Sequence, residues 1–445
     1  MKKWTYFALL AMLAYACAQE DAFSPLDENL TDRLERLAPN GSLEDFVLPS
    51  SGDFARIPQG KGNPLTREKV NLGKMLFFET GLGRDARHAT GMGTFSCGTC
   101  HIPSSGFMPG RTQGIADGGA GYGDNGEMRD AISEYAENEL DVQGARPISL
   151  VNVAYVTNST WSGKFGAGYV NADTKAVWGE DDPSTEINKL GYDGLESQNV
   201  EGLKIHRMVI DDYVLDTLGY RNYFDQAFSA WPQEERYSLL AASFAISAYI
   251  RTIVSDQAPF QKWLRGDLEA ISDREKRGAI LFFGKAGCYR CHKSASLNSM
   301  EFQALGVRDL YESGVAYNTG PDDLRNLGRG GFTGKTEDMY KFKVPGLYNM
   351  ADSPFYFHGS SRHSLRSVVE YFNKGIPENT NVPPAQISAF FHPLNLTDEE
   401  MDDLTEFLSK SLRDPNLERY MPERVLSGNC FPNNDPASRH DLGCN

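Results

Sequence analysis

Two pentapeptides, Cys97-Gly98-Thr99-Cys100-His101 and Cys288-Tyr289-Arg290-Cys291-His292, are the parts of this chain whose residue types and spacing carry chemistry by themselves. Two thiols one helical turn apart can add to the two vinyl groups of one porphyrin, while the adjacent imidazole reaches the iron from the same side. A redox dithiol or half of a zinc site needs no His directly after the second Cys, and zinc would want a further pair of ligands. With seven Cys and eight His in 445 residues, two copies of the pattern are not a product of chance. The sequence therefore specifies two covalently bound haem c groups. Cys97, Cys100, Cys288 and Cys291 are the attachment points, and His101 and His292 are the iron ligands.

The elements that must position these motifs repeat with them. Gly73-Lys74-Met75-Leu76-Phe77-Phe78 recurs 205 residues later as Gly278-Ala279-Ile280-Leu281-Phe282-Phe283, and each copy precedes one motif. This argues for two similar domains. Ser272 with Glu275 is a capping box opening a helix that carries Leu281 and Phe282; Thr397 with Glu400 opens another, closed by Asp414-Pro415. Apolar residues between Tyr237 and Ile253 follow helical spacing and finish the first domain. Strand signals are sparse, so the fold is mostly helical with long loops. One such loop, Gly114 to Gly126, holds six glycines. With no preceding strand and no following Lys-Ser/Thr it is not a phosphate cradle, and it reads as a flexible surface connection or, alternatively, a calcium loop.

Both ends of the chain bear on its compartment. Lys2 and Lys3 precede a 13-residue apolar stretch, Trp4 to Ala16, too short to span a bilayer and placed as an export signal. It ends in Ala14-Tyr15-Ala16-Cys17, where Cys17 would accept lipid, although an ordinary signal peptidase could also cut here. The expected product is exported and periplasmic, meeting a membrane only through such an anchor. Near the other end, Cys430 and Cys444 bound a 15-residue polar segment, and export favours a disulfide there, contributing about 3 kcal/mol. The 44 Lys and Arg against 60 Asp and Glu give a formal charge of −16, which excludes nucleic acid as a natural partner.

The chain resembles the bacterial di-haem cytochrome c peroxidase family, which includes the MauG-type enzymes, over roughly residues 56 to 425. The matching stretches are Asn63-Pro64-Leu65-Thr66, Leu72 through Phe78, Arg146-Pro147 with Asn152, and Trp161-Ser162-Gly163-Lys164. In the second half they are Lys341 through Asn349 and Tyr356-Phe357-His358. The resemblance implies a mainly α fold of two tandem cytochrome c-like helical domains with long loops. With the terminal features read above, the chain divides into an export signal (1–17), a tether or packing arm (18–55), a first haem domain (56–265), a second haem domain (266–425) and a disulfide-closed tail (426–445). The resemblance implies an oxidoreductase that reduces hydrogen peroxide to water with electrons from a cytochrome c or similar small donor. The first haem would be peroxidatic and the second electron-accepting; homodimers are common in the family. The alternatives are a non-catalytic di-haem electron-transfer protein and a MauG-like oxidase of a protein or organic substrate.

Departures from the family pattern narrow the catalytic residues. In the family a Gln is followed about ten residues later by Glu-Met, the Glu being the distal acid/base. Here Gln198 is followed by His206-Arg207-Met208, so Arg207 stands at the Glu position. An Arg is no base at neutral pH, but its guanidinium could polarise peroxide while His206 shuttles the proton. Between His101 and His206 the chain has no His, so the first haem is either open, as in MauG-type members, or closed by His206 itself. The inter-haem Trp expected just before Arg146 is missing, since Asp141 to Ala145 contains no aromatic. Calcium between the domains is a further implication of the family, but the Asn expected after Arg146 is Pro147. The family's Met or Tyr cap on the second iron falls on Phe372, fourteen residues after His358; Phe cannot ligate, and Tyr371 would have to rotate roughly 100° about the helix axis to replace it.

Overall fold

Ser24 opens the first helix: its hydroxyl accepts the Asp27 amide hydrogen at 3.2 Å while the Asp27 carboxylate accepts the Ser24 amide hydrogen, a reciprocal cap. The computed structural model describes residues 24–444. The export signal, Cys17 and Asn445 lie outside the described residues. Helix α1 (Pro25–Leu37) buries Leu30, Leu34 and Asp27. The Asp27 carboxylate accepts from Trp263 Nε1 at 2.7 Å and Lys276 Nζ at 3.0 Å, so this part of the arm is docked on the later half of the chain.

The repeated hexapeptide produces a repeated helix crossing. Helix α2 (Arg67–Phe78), capped by Thr66, crosses α4 (Leu239–Arg251), the helix expected between Tyr237 and Ile253; α3 (Gly194–Ile205) lies between them in sequence. In the second half, α5 (Asp273–Phe282) crosses α7 (Asp398–Glu406), each opened by the capping box expected for it. Helix α6 (Leu365–Lys374) precedes α7. At each crossing the repeated glycine is the contact point. A Cβ on Gly73 would land on the Ala245 carbonyl oxygen, and one on Gly278 on that of Asp403, both well inside contact distance. One turn further on, Phe77 meets Tyr249 edge-on at 5.3 Å and Phe282 meets Phe407 at 5.6 Å. Beyond each crossing an Asn in the left-handed region, Asn152 and Asn349 (both φ 57°), donates its amide hydrogen to Ile253 O at 2.8 Å or Leu412 O at 3.0 Å. Asn tolerates that conformation at low cost. A continuous apolar core runs from Leu30 to Val425 through both crossings.

Regular sheet is confined, among the described residues, to two short antiparallel ribbons, β1 (Gly119–Ala120) with β2 (Asp130–Ala131) and β3 (Phe302–Gln303) with β4 (Phe342–Lys343). The first ribbon corrects the expectation of a flexible connection at Gly114 to Gly126. Arg129 is buried and donates to Ile115 O at 2.6 Å, Ala116 O at 2.8 Å and the Asp435 carboxylate at 3.1 Å. Asp435 also accepts from Gly121 N at 3.0 Å, and Asp441 accepts from Tyr122 N and Gly123 N. Both aspartates belong to the tail, which is closed by the Cys430–Cys444 disulfide and carries α8 (Pro436–Asp441). The tail thus pins the glycine-rich loop and covers the first haem motif, where Ser96 Oγ donates to Pro432 O at 2.8 Å. No helix of the described residues is long and apolar enough to cross a membrane.

Candidate active site

Both pentapeptides fold as a single tight turn, and both histidines are oriented the same way. His101 Nδ1 lies 2.9 Å from Phe107 O and His292 Nδ1 lies 2.8 Å from Leu297 O. In each case the accepting residue is left-handed (φ 56° and 51°), which turns its carbonyl back toward the ring. With Nδ1–H donating, the lone pair of Nε2 is left for iron. Burial pushes both imidazoles down to about 4, so they are neutral and able to bind metal at ordinary pH. The same burial pushes the thiols of Cys97, Cys100 and Cys288 up to about 12. A zinc thiolate or a reactive dithiol needs the opposite shift, whereas neutral thiols suit thioether formation. Among the described residues no group of three or more His, Cys, Asp or Glu is placed to hold a metal ion.

The second motif opens into a deep apolar cavity. Its lining includes Cys288, Cys291 and His292 together with Val368, Val369 and Phe372 of α6. Phe372 therefore faces the cavity, as its spacing indicated. The Tyr371 hydroxyl donates instead to Leu305 O at 2.8 Å, and the Arg362 guanidinium lies 4.7 Å from its ring centre. Two buried cations, Arg146 and Lys343, also line the cavity. Arg146 donates to Arg111 O, Pro109 O and Ser353 Oγ, and its Nε is buried without a partner. Lys343 Nζ reaches Asn158 O at 2.9 Å. Burial drives Arg146 down to about 9 and Lys343 to about 7. Buried cations whose partners are neutral call for an anion, and the carboxylates of a haem supply that charge, so the cavity fits the group its cysteines would attach.

Two further groups connect this cavity to the first half. Met108, one residue beyond the carbonyl that holds His101, lines it. Trp161 lines it as well, donating from Nε1 to Arg146 O at 2.6 Å and meeting His358 at 6.3 Å. Trp161, from the matching stretch named above, thus puts an indole in the cavity wall, although Asp141 to Ala145 contains no aromatic. His358 stacks on Phe342 at 3.7 Å, and its Nε2 lies 2.9 Å from Asp309 Oδ1.

At the first site two of the three residues named from sequence, His206 and Arg207, each pair with an aspartate. His206 follows the last turn of α3, and its Nδ1 lies 2.8 Å from Asp141 Oδ2 and 3.0 Å from Oδ1. It stands near enough to His101 to disfavour charge on that ring, adding to the effect of burial. Asp141 likewise adds to burial in raising the Cys100 thiol. Although burial opposes its charge, His206 is raised overall by the Asp141 carboxylate, against a smaller opposing effect of Arg207. Arg207 is occupied elsewhere. Its guanidinium pairs with the fully buried Asp117, whose carboxylate also accepts from Tyr135 Oη at 2.6 Å and Arg87 N at 2.8 Å. Arg207 itself is left-handed (φ 55°), and its guanidinium is anchored to Asp117 through Nη1. Gln198 is half-buried on α3, two turns before His206, and its side chain makes no hydrogen bond among the described residues. Asp141, Asp117, Lys343 and Asp309 were given no catalytic or haem-binding role from sequence, although Asp117 lies in the glycine-rich loop and Lys343 in a matching stretch. The first two are 65 and 90 residues from their partners, with no local pattern to mark them.

Residues 67–269 match the family described as di-haem cytochrome c peroxidase. The methylamine utilization protein MauG of Methylorubrum extorquens is 29% identical, covering 81% of this chain and 82% of the relative. The cytochrome-c peroxidase IdrP1 of Denitromonas iodatirespirans is 28% identical, covering 83% and 88%. Among solved structures, a MauG-like protein associated with microbial copper homeostasis superposes with a TM-score of 0.56 at 24% identity, covering 83% of this chain and 95% of the other, and shares the fold.

Proposed function

We propose that this chain, which belongs to the di-haem cytochrome c peroxidase family, reduces hydrogen peroxide with electrons from a small donor protein such as a cytochrome c. Haem bound at the two motifs supplies the iron at which the O–O bond is cleaved and, at the second site, a store for one electron. The balance is one H2O2, two electrons and two protons to two waters. His101 and His292 would hold the irons through Nε2, and Cys97, Cys100, Cys288 and Cys291 would hold the porphyrins. Arg146 and Lys343 would neutralise the acidic groups of the second haem, with Trp161 and Met108 packed between the two halves as the electron route. His206 moves the proton from the near to the far oxygen of peroxide, Arg207 keeps the turn that presents it, and Gln198 adds an amide to the same helix.

The observation that carries this reading is the Asp141 carboxylate on His206 Nδ1, with Nε2 left without a hydrogen bond among the described residues. The repeated crossings at Gly73 and Gly278 support dividing the chain into two cytochrome c-like domains, 56–265 and 266–425, with the tail belonging to neither. Export, a lipid anchor at Cys17 and a homodimer remain part of the proposal on the sequence reading alone. Calcium is not part of the proposal, since among the described residues no group of three or more Asp, Glu, His or Cys side chains supports it.

Denaturing mass spectrometry of the exported protein should show two haem additions, and Cys97→Ala with Cys100→Ala should remove one. His206→Ala should slow peroxide turnover on the order of 10²-fold with haem content intact, a typical loss for one acid/base group. A single haem in wild type, or full turnover in the variant, overturns the reading. The absence of any His between His101 and His206 and the likeness to MauG favour a second reading, oxidation of a protein side chain by peroxide without a soluble donor. Donor-independent consumption of peroxide with a mass change on a partner protein would select it.

A further inference from the structure

We infer that Asp141 is the positioning residue of the peroxide site, holding His206 in the one tautomer and orientation in which Nε2 can exchange a proton with substrate. This rests on the assignment of His206 above and adds to it a residue the family pattern does not supply. The geometry is specific. Both carboxylate oxygens of Asp141 lie within hydrogen-bond reach of His206 Nδ1, at 2.8 and 3.0 Å, and no other group hydrogen-bonds to that buried carboxylate among the described residues.

The backbone around it is fixed as well. Asp141 N donates to Asp117 O at 3.0 Å, and Ala116 N donates to Asp141 O at 2.9 Å. Two paired segments therefore present two aspartates to two consecutive residues, Asp117 to Arg207 and Asp141 to His206. The Asp117 charge is met by Arg207, so it is not available to His206, and Asp141 has only the imidazole to offset its burial. A buried carboxylate in that position favours proton uptake by the ring. The charged and titratable groups facing His206 are Asp141, Arg207 and His101; only Asp141 favours its charged form.

In the step itself the proton on the near oxygen of peroxide passes to His206 Nε2. It is then returned to the far oxygen as the O–O bond breaks and the first water leaves; the near oxygen takes up two electrons from the donor and two protons from solvent and leaves as the second water. Asp141 touches neither oxygen. Its part is to keep Nδ1–H donated inward, so that Nε2 alone faces the substrate, and to stabilise the imidazolium between the two transfers.

Cyanide provides a probe that does not depend on turnover, because HCN must give up its proton to bind ferric iron. In the haem-loaded protein, Asp141→Asn should slow cyanide association on the order of tenfold or more and move the acid limb of its pH profile downward. Asp141→Glu should restore part of the rate, and Asp141→Asn combined with His206→Ala should be no slower than His206→Ala alone. Wild-type rate and profile in Asp141→Asn, with His206→Ala slow, would overturn the role of Asp141 and leave that of His206 standing. Unchanged cyanide association in His206→Ala would overturn both. A low-spin ferric first haem that turns high-spin in His206→Ala would make His206 an iron ligand and overturn the positioning role. If Asp141→Asn fails to load haem, Asp141→Glu and the pH profile of its cyanide association decide: a wild-type profile with a rate unchanged by the longer side chain overturns the proposal.

Discussion

His101 and His292 owe their neutrality chiefly to burial, and that has a consequence for acid stability. Their folded values of about 4 lie below the 6.5 of a free imidazole, so between these values the unfolded chain binds more protons than the folded one. The stability they contribute is complete above pH 6.5 and falls as pH drops from 6.5 to 4. Urea unfolding of the haem-free protein, followed by tryptophan fluorescence across this range, should show the loss. A flat profile from pH 7 to 4 would mean that neither imidazole is buried uncharged. His206 has the opposite sign. Its folded value is raised, so its contribution is present below 6.5 and disappears as pH rises through the folded value, and Asp141→Asn should abolish that upper slope.

At the scale of elements, the helix crossings are the features most exposed to a single methyl group. On helix propensity alone, Gly73→Ala would stabilise α2 by about 1 kcal/mol. The added Cβ lands on the Ala245 carbonyl, however, and prying α2 from α4 costs about 3 kcal/mol by comparison with overpacked cores. Net destabilisation in thermal melts is therefore expected for Gly73→Ala and Gly278→Ala, and a stabilised variant would show that the crossings are looser than described. The tail makes a parallel case. Asp435→Ala strands the buried Arg129 guanidinium, at a cost of about 3 to 5 kcal/mol for breaking one side of a buried pair. Limited proteolysis should then cut within residues 114–126, which are protected while the tail is in place. Protection unchanged in the variant would remove the tail from that role.

For the whole molecule, the net charge of −16 acts at longer range than any one contact. It attracts a donor with a basic face and repels an acidic one, and salt screens both effects over about 8 Å at physiological ionic strength. Raising salt from about 50 to about 300 mM should therefore lower kcat/KM several-fold with a basic cytochrome c and leave it level or higher with an acidic donor. Steady-state rates with both donors test this. The same salt response for both would place electron entry on a patch that does not share the overall charge.

The two Cys-x-x-Cys-His motifs and the repeated hexapeptide that places a helix before each were legible in the order of residues, because each depends on spacings within one turn or on a local repeat. The Phe at position 372 was legible for the same reason, since neighbouring residues of one helix must point about 100° apart. What surrounds the iron positions was not. The pairing of Asp141 with His206 and of Asp117 with Arg207 joins segments 65 and 90 residues apart, through loops with no periodicity to reveal which carboxylate meets which base. Read from sequence, Arg207 had a guanidinium free for peroxide; folding ties its Nη1 to the buried Asp117 and the neighbouring His206 Nδ1 to Asp141. The glycine-rich loop looked unconstrained because its partners, Asp435 and Asp441, arrive from the far end of the chain. Local covalent chemistry and helix geometry follow from neighbours in sequence, whereas the charge partners of buried groups are chosen only when distant segments exclude water together.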